Sequence, residues 1–298
     1  MTMIAVMGAS GNTGGRICEQ LLRDGERVRA LGRSAEKLAR FAGGGAEVLT
    51  GDAADAAFLT TAFRGADAVY ILLPSDLQSP DYRAKQDREG QAIASAIRDA
   101  AVRYVIFLSS IGGDLPDGTG PIAGLHAQEE RLRRLEGVNV LILRPASFFE
   151  NFYATLGLIK QQGVNGGAFE PDLPVPMIAT RDIAEVAAQA LRARDWTGVV
   201  VRELLGQRDL THAEATRVLG ARIGRPDLQY VQFPYADFVA GLVQTGLSQS
   251  VANLYGEMVR AFNEHRVKSR EGRRPENTTP TRFEDFADVL ARAYQNLP

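Results

Sequence analysis

The residues best suited to chemistry come first in the chain. Gly8-Ala9-Ser10-Gly11-Asn12-Thr13-Gly14 follows directly on the apolar run Met3 to Met7 and opens an amphipathic stretch. Glycines in this pattern permit a tight turn and let backbone N–H groups approach a diphosphate, which then sits at the positive end of the following helix. On this reading Gly8, Ser10, Gly11, Asn12, Thr13 and Gly14 hold a dinucleotide. An empty strand-to-helix turn could use the same glycines, so the surrounding elements must decide.

Charge near the end of the next strand selects between dinucleotides. An acidic residue there takes ribose hydroxyls, whereas arginine accommodates a 2′-phosphate. The segment Leu31-Gly32-Arg33-Ser34 carries Arg33, with Lys37 one helical turn on and no acid at the strand end itself. NADP(H) is therefore the preferred cofactor, and the nearby Glu36 keeps NAD(H) open. Gly51-Asp52 is placed to meet the adenine ring, although Asp52 could instead cap the next helix. Leu73 and Pro74, closing the fourth strand, complete the expected cofactor contacts.

These residues need a scaffold, and the first half of the chain supplies one. Apolar strand-like runs (Met3–Met7, Arg27–Leu31, Ala46–Thr50, Ala68–Leu73, Tyr104–Leu108, Val138–Leu143) alternate with helical stretches. Those stretches are Gly15–Arg23, Ser34–Phe41, Ala54–Phe63, Tyr82–Ala101 and Gly124–Leu135, with Ser34 a natural N-cap. Continuous apolar strands separated by helices predict a parallel sheet covered on both faces. The fold class is α/β, a doubly wound Rossmann-like sheet with ligands at the carboxyl ends of its strands. Residues 1–150 form the dinucleotide-binding domain. Residues 151–298 form a smaller, mostly helical substrate-side domain, from which about 175–196 return to the first.

Composition narrows the class. The 298 residues are 45% hydrophobic and 23% charged, with a net charge of −2. That balance is ordinary for a soluble protein and offers no electrostatic basis for binding nucleic acid or an anionic membrane. No apolar run approaches the roughly 18 residues of a spanning helix, and no export signal is visible. The single cysteine, Cys18, excludes an internal disulfide and lies on the apolar face of the first helix. Together with only three histidines, that count excludes a structural zinc site. A cytoplasmic location is expected, and a homodimer stays open.

Several further motifs resemble the NmrA-like branch of the atypical short-chain dehydrogenase/reductases. They are His126-Ala127-Gln128-Glu129-Glu130, the run from Leu141 through Arg144-Pro145 to Asn151, Thr180 to Val186, and Thr279 to Phe286. The resemblance covers nearly the whole chain. It implies either an NAD(P)H-dependent reductase of quinones or dyes, or an NADP-sensing regulator without catalysis.

One absence bears on mechanism. Short-chain dehydrogenases use Tyr-x-x-x-Lys, whose lysine lowers the tyrosine pKa so that the phenol can exchange a proton with substrate oxygen. None of the eight tyrosines here is followed four residues later by a lysine. The register instead puts Ile122 and His126 at the two positions. Ketone reduction needs a proton donor because an alkoxide is strongly basic. A quinone accepts hydride to give a delocalised phenolate that water can protonate. The expected partner is thus a small conjugated acceptor such as a quinone.

The strand ends supply the acceptor-side candidates. His126 is the one candidate for catalysis, and Ser110, Phe148 and Asn151 are candidates for substrate binding. Ser109 and Ser110 could equally cap backbone, and one of Phe148 and Phe149 could be core. His212 and His265 lie in polar helical sequence and receive no role. Gly163 to Pro176 reads as a loop over the site, Thr180 or Asp182 as a helix N-cap, and Arg266 to Thr281 as a basic surface segment.

Overall fold

The computed structural model describes residues 2–297. Its first half alternates β1 (Met3–Val6), α1 (Asn12–Arg23), β2 (Arg27–Gly32), α2 (Ala35–Gly43), β3 (Glu47–Thr50), α3 (Ala56–Phe63), β4 (Ala68–Ile71), α4 (Tyr82–Asp99), β5 (Tyr104–Leu108), α5 (Ile122–Arg133) and β6 (Asn139–Pro145). The chain continues through β7 (Ser147–Phe148), a 3-10 turn over Phe149–Thr155, α6 (Leu156–Gln162), β8 (Asn165–Gly167), β9 (Val175–Ile178) and α7 (Thr180–Ala193). It closes with β10 (Val199–Leu204), β11 (Asp209–Leu210), α8 (His212–Arg222), β12 (Tyr230–Gln232), α9 (Tyr235–Gln244), α10 (Gln249–Asn263) and α11 (Phe283–Gln295).

Seven strands form one parallel sheet in the order β10-β6-β5-β4-β1-β2-β3. Successive strand residues face opposite sides of the sheet, so a strand covered twice must be apolar at every position. Leu141 and Leu143 of β6 enter the core on the α1 and α7 side, while Val140 and Ile142 enter the core against α3 and α4. The sheet reverses its winding between β1 and β4, which opens a crevice at their carboxyl ends. Gly14 lets α1 sit directly on the turn that leads into that crevice. A Cβ there would lie 2.4 Å from the Gly8 carbonyl oxygen. Cys18 is fully buried in the same interface, and burial pushes its thiol up to about 12.

Four local expectations are corrected. α7 starts at Thr180, but neither Thr180 nor Asp182 caps it. The Glu150 carboxylate does so, accepting from the Thr180 amide at 3.1 Å and from its hydroxyl at 2.5 Å. Asp182 instead accepts from the Thr281 amide (3.1 Å) and hydroxyl (2.5 Å).

The segment Gly163 to Pro176 is not a free loop. Its β8 pairs with β12, and the Glu170 amide donates to Asn263 Oδ1 at 3.0 Å.

His212 is not in polar surroundings. Its ring stacks on Phe169 at a centroid distance of 4.2 Å and on Phe152 at 6.0 Å.

Nor is Arg266 to Thr281 simply a solvated surface run. Val267, Asn277, Thr279 and Thr281 are buried, and the Asn277 carbonyl accepts from the Leu205 amide at 2.8 Å. Arg273 of the segment donates to the carbonyls of Gly206 (2.5 Å) and Leu205 (3.2 Å) and pairs with Asp209. The segment is a strap across the ends of β5, β6 and β10.

Candidate active site at the carboxyl edge of the sheet

The glycine turn leaves the N-terminus of α1 accessible. Gly8 has φ +66°, a left-handed conformation that glycine adopts without strain. A Cβ there would also approach Leu72 Cδ2 to 2.8 Å, so this turn abuts the end of β4, next to Leu73 and Pro74. Gly11 is the N-cap of α1, yet no side chain among the described residues caps the helix, and no acid sits in its first turn. Ser10, Gly11 and Asn12 are exposed, so the first amides of α1 face outward without a partner side chain. Thr13 is different. Its hydroxyl is buried and lies 3.2 Å from the Tyr70 hydroxyl, so only its backbone is free to face a ligand. An uncapped helix N-terminus beside exposed small residues fits a dinucleotide diphosphate.

The expected adenosine end gathers charges from the ends of β2 and β3 and from α4. Arg33 and Lys37 are exposed beyond β2, and Ser34 caps α2 by accepting from the Lys37 amide at 3.3 Å. Asp52 does not cap α3, because Asp55 does. Asp52 Oδ1 accepts from the Ala54 amide at 3.0 Å, fixing the turn after β3. Sequence reading missed Glu89 of α4, which is 1% exposed and paired with Lys85. Burial raises its carboxyl above the ordinary range, Lys85 opposes the shift, and the charges of Asp52 and Arg33 also act on it. Only a buried carboxyl at i+4 from a lysine could have signalled this group.

The expected acceptor end is organised by a buried carboxylate. Glu129 of α5 accepts from Ser109 Oγ at 2.6 Å, Arg144 Nε at 2.9 Å and Arg144 Nη2 at 2.5 Å. Burial opposes the charge on Arg144, but the hydrogen bonds and charge of Glu129 hold its pKa above the ordinary value. Ser109 is thus committed to this network. Its neighbour Ser110 is half-buried, and its carbonyl accepts from the Gly113 amide at 3.0 Å. His126 Nδ1 lies 2.9 Å from the Gly113 carbonyl, so Ser110 and His126 share one turn. The Ile111 amide donates to the Pro145 carbonyl at 3.0 Å, bringing that turn beside the end of β6. There Phe148 is half-buried, while Phe149 is core and packs on Phe283 at 5.1 Å. Asn151 is exposed, with its amide 3.4 Å from Ser147 Oγ.

A carbonyl accepts only, so Nδ1 of His126 carries the hydrogen in that contact and Nε2 keeps its lone pair when the ring is neutral. Ile122, at the tyrosine register position, is buried. Tyr82, whose hydroxyl meets Ser75 beside Pro74, is pushed up to about 12, chiefly by burial, and is not poised to give up its proton near neutrality. Among the described residues no cluster of His, Cys, Asp and Glu could hold a metal ion, and no helix is long and apolar enough to cross a membrane.

A doubly wound parallel sheet with a glycine-rich turn opening its first helix defines a Rossmann-like α/β protein. More narrowly, the chain belongs to the NmrA-like family, whose model matches residues 1–287. It is 33% identical over 75% of its length, and 75% of the relative's, to (4-alkanoyl-5-oxo-2,5-dihydrofuran-3-yl)methyl phosphate reductase of Streptomyces griseus. It is 27% identical to quinone oxidoreductase 2 of Escherichia coli, covering 86% of each chain. The fold matches the structure of the Escherichia coli NADPH-dependent quinone oxidoreductase QOR2 in complex with NADPH with a TM-score of 0.82, at 22% identity, covering 97% of this chain and 99% of that one.

Proposed function

We propose that this protein is an NADPH-dependent reductase that delivers hydride to a quinone or a similar conjugated acceptor. One observation carries the reading: the N-terminus of α1 is uncapped beside the glycine turn, while the position that would protonate an alkoxide holds the buried side chain of Ile122. The relatives named as a quinone oxidoreductase and as a reductase of a conjugated furanone support it.

The amides of Asn12, Thr13 and Gly14 would hold the diphosphate, with Ser10 and Gly11 beside them, the Gly11 amide itself closing the turn on the Gly8 carbonyl at 2.8 Å. Arg33 and Lys37 would meet the 2′-phosphate, Asp52 would lie by the adenine, and Leu73 and Pro74 would border the nicotinamide. NADPH supplies the hydride when bound. Phe148 offers the acceptor a flat apolar wall, and Ser110 and Asn151 offer it hydrogen bonds. His126, whose Nδ1–H donates to the Gly113 carbonyl, orients the acceptor rather than protonating it. The reduced acceptor leaves as a phenolate that water protonates.

The test is NADPH oxidation followed with a panel of quinones, cationic dyes and simple ketones. Turnover of quinones without ketones is expected. Tight NADP binding with no turnover of any acceptor would replace this reading with that of a redox-sensing regulator.

A further inference from the structure

A cavity of about 230 Å³ lies under the strap, walled by Leu173, Val175, Leu205, Phe262 and Val267 and rimmed by His265, Lys268 and Arg273. Its place follows from strand register. Leu204 pairs with Pro145 at the end of β6 and Met177 with Ser147 of β7, so Leu205 and Pro176 in the cavity wall are each one residue from partners where the chain leaves β6. The cavity is therefore next to the acceptor-side residues and not at the cofactor cradle.

Its cations are not alike. Arg273 is spent on Asp209 and two carbonyls, while its neighbours in the strap, Arg266 and Arg270, pair with Asp117 and Asp114. Lys268 has no carboxylate partner among the described residues, although it lines the cavity. His265 is held at φ +55°, just past the end of α10, where glycine is the unstrained choice. A chamber with apolar walls, whose one lining carboxylate among the described residues, Asp209, is paired with Arg273 and whose exposed Lys268 and His265 are not, suits an amphiphilic anion.

We propose that this cavity is an anion subsite for the acceptor, which carries a phosphate or carboxylate held by Lys268 and His265 and an apolar portion held by Phe262, Val267 and Leu205. The inference rests on the reductase reading, of which it names the substrate class. A lysine acts on the anion as a point charge, so the same contact serves either group and fixes the far end of the acceptor while its conjugated ring meets the β6 end.

Two measurements test it. In the first, kcat/KM is compared for a neutral naphthoquinone and for naphthoquinones bearing a phosphate or a carboxylate, in wild type, Lys268→Ala and Lys268→Arg. The ratio of anionic to neutral acceptor should fall about tenfold or more in Lys268→Ala, through KM, and recover in Lys268→Arg. Whichever anionic acceptor shows the larger fall identifies the group. Using the ratio cancels the difference in reduction potential between acceptors. An unchanged ratio overturns the proposal.

In the second, the protein is saturated with NADP⁺ to fill the phosphate-binding part of the cofactor site, and its melting temperature is followed with inorganic phosphate against chloride at equal ionic strength. Phosphate should raise the wild-type melting temperature and leave that of Lys268→Ala unmoved. Equal shifts in both overturn the subsite, even if no acceptor is ever turned over.

Discussion

Arg144 grips Glu129 with two nitrogens, Nε at 2.9 Å from one carboxylate oxygen and Nη2 at 2.5 Å from the other, and both side chains are almost fully buried. The pair joins α5, which carries His126, to the ends of β5 and β6. Breaking such a pair leaves one uncompensated buried charge, so Glu129→Gln or Arg144→Met should each destabilise by about 3–5 kcal/mol. The double variant Glu129→Leu/Arg144→Met should lose much less than the two together. Denaturant unfolding of the cycle measures this, and additive losses would show that the two do not act as a unit.

Gly14 and Gly11 should separate stability from binding. A Cβ at Gly14 meets the Gly8 carbonyl oxygen at 2.4 Å, so Gly14→Ala must push α1 off the sheet, with a loss of about 1–3 kcal/mol. Gly11 is exposed with φ −96°, and its nearest neighbour to a Cβ is at 3.3 Å. Gly11→Val should therefore melt close to wild type yet lose both NADPH and NADH by calorimetric titration. Normal affinity in that variant would reduce the motif to a turn.

Arg33 stands exposed at the β2 end, among charges that include Asp52 and Glu89. Arg33→Ala should weaken NADPH by about 1.5–3 kcal/mol, the scale of a charged hydrogen bond, and leave NADH nearly untouched. Fluorescence titration of both cofactors checks it. An equal loss for both would remove Arg33 from the 2′-phosphate site.

His126 should behave as an orienting group. His126→Ala is expected to raise KM for a quinone more than it lowers kcat, the pattern of lost ground-state binding. Steady-state kinetics over a pH range of about 5.5 to 8.5 decide the matter. A large kcat loss, with disappearance of an inflection present in wild type, would make His126 the general acid.

Burial lowers the His212 imidazole to about 4 from the ordinary 6.5. The folded value lies below the unfolded one, so the neutral ring contributes stability that is complete above about 6.5 and is lost as pH falls toward 4. The loss over that window amounts to roughly 3 kcal/mol. His212→Phe keeps the stack on Phe169 and Phe152 and removes the titration, so its melting temperature should fall less steeply between those pH values. An unchanged acid slope would place the titrating group elsewhere.

The strand and helix alternation, the glycine turn, the Ser34 cap and the parallel sheet were all legible in the chain. Each is written in residues adjacent in sequence or one helical turn apart, where backbone periodicity and local sterics leave few choices. Of Phe148 and Phe149, sequence could say only that one was core, because Phe148 ends β7 and Phe149 opens the 3-10 turn, and which of the two is buried is set by what packs there; α11 supplied Phe283 and so chose Phe149. Glu150 capping α7, Thr281 meeting Asp182, the strap over the strand ends and the aromatic stack around His212 join segments dozens of residues apart. No periodicity encodes such partners. A carboxylate finds its amides, and an imidazole its aromatic neighbours, only once the topology has brought distant segments within hydrogen-bond or van der Waals reach.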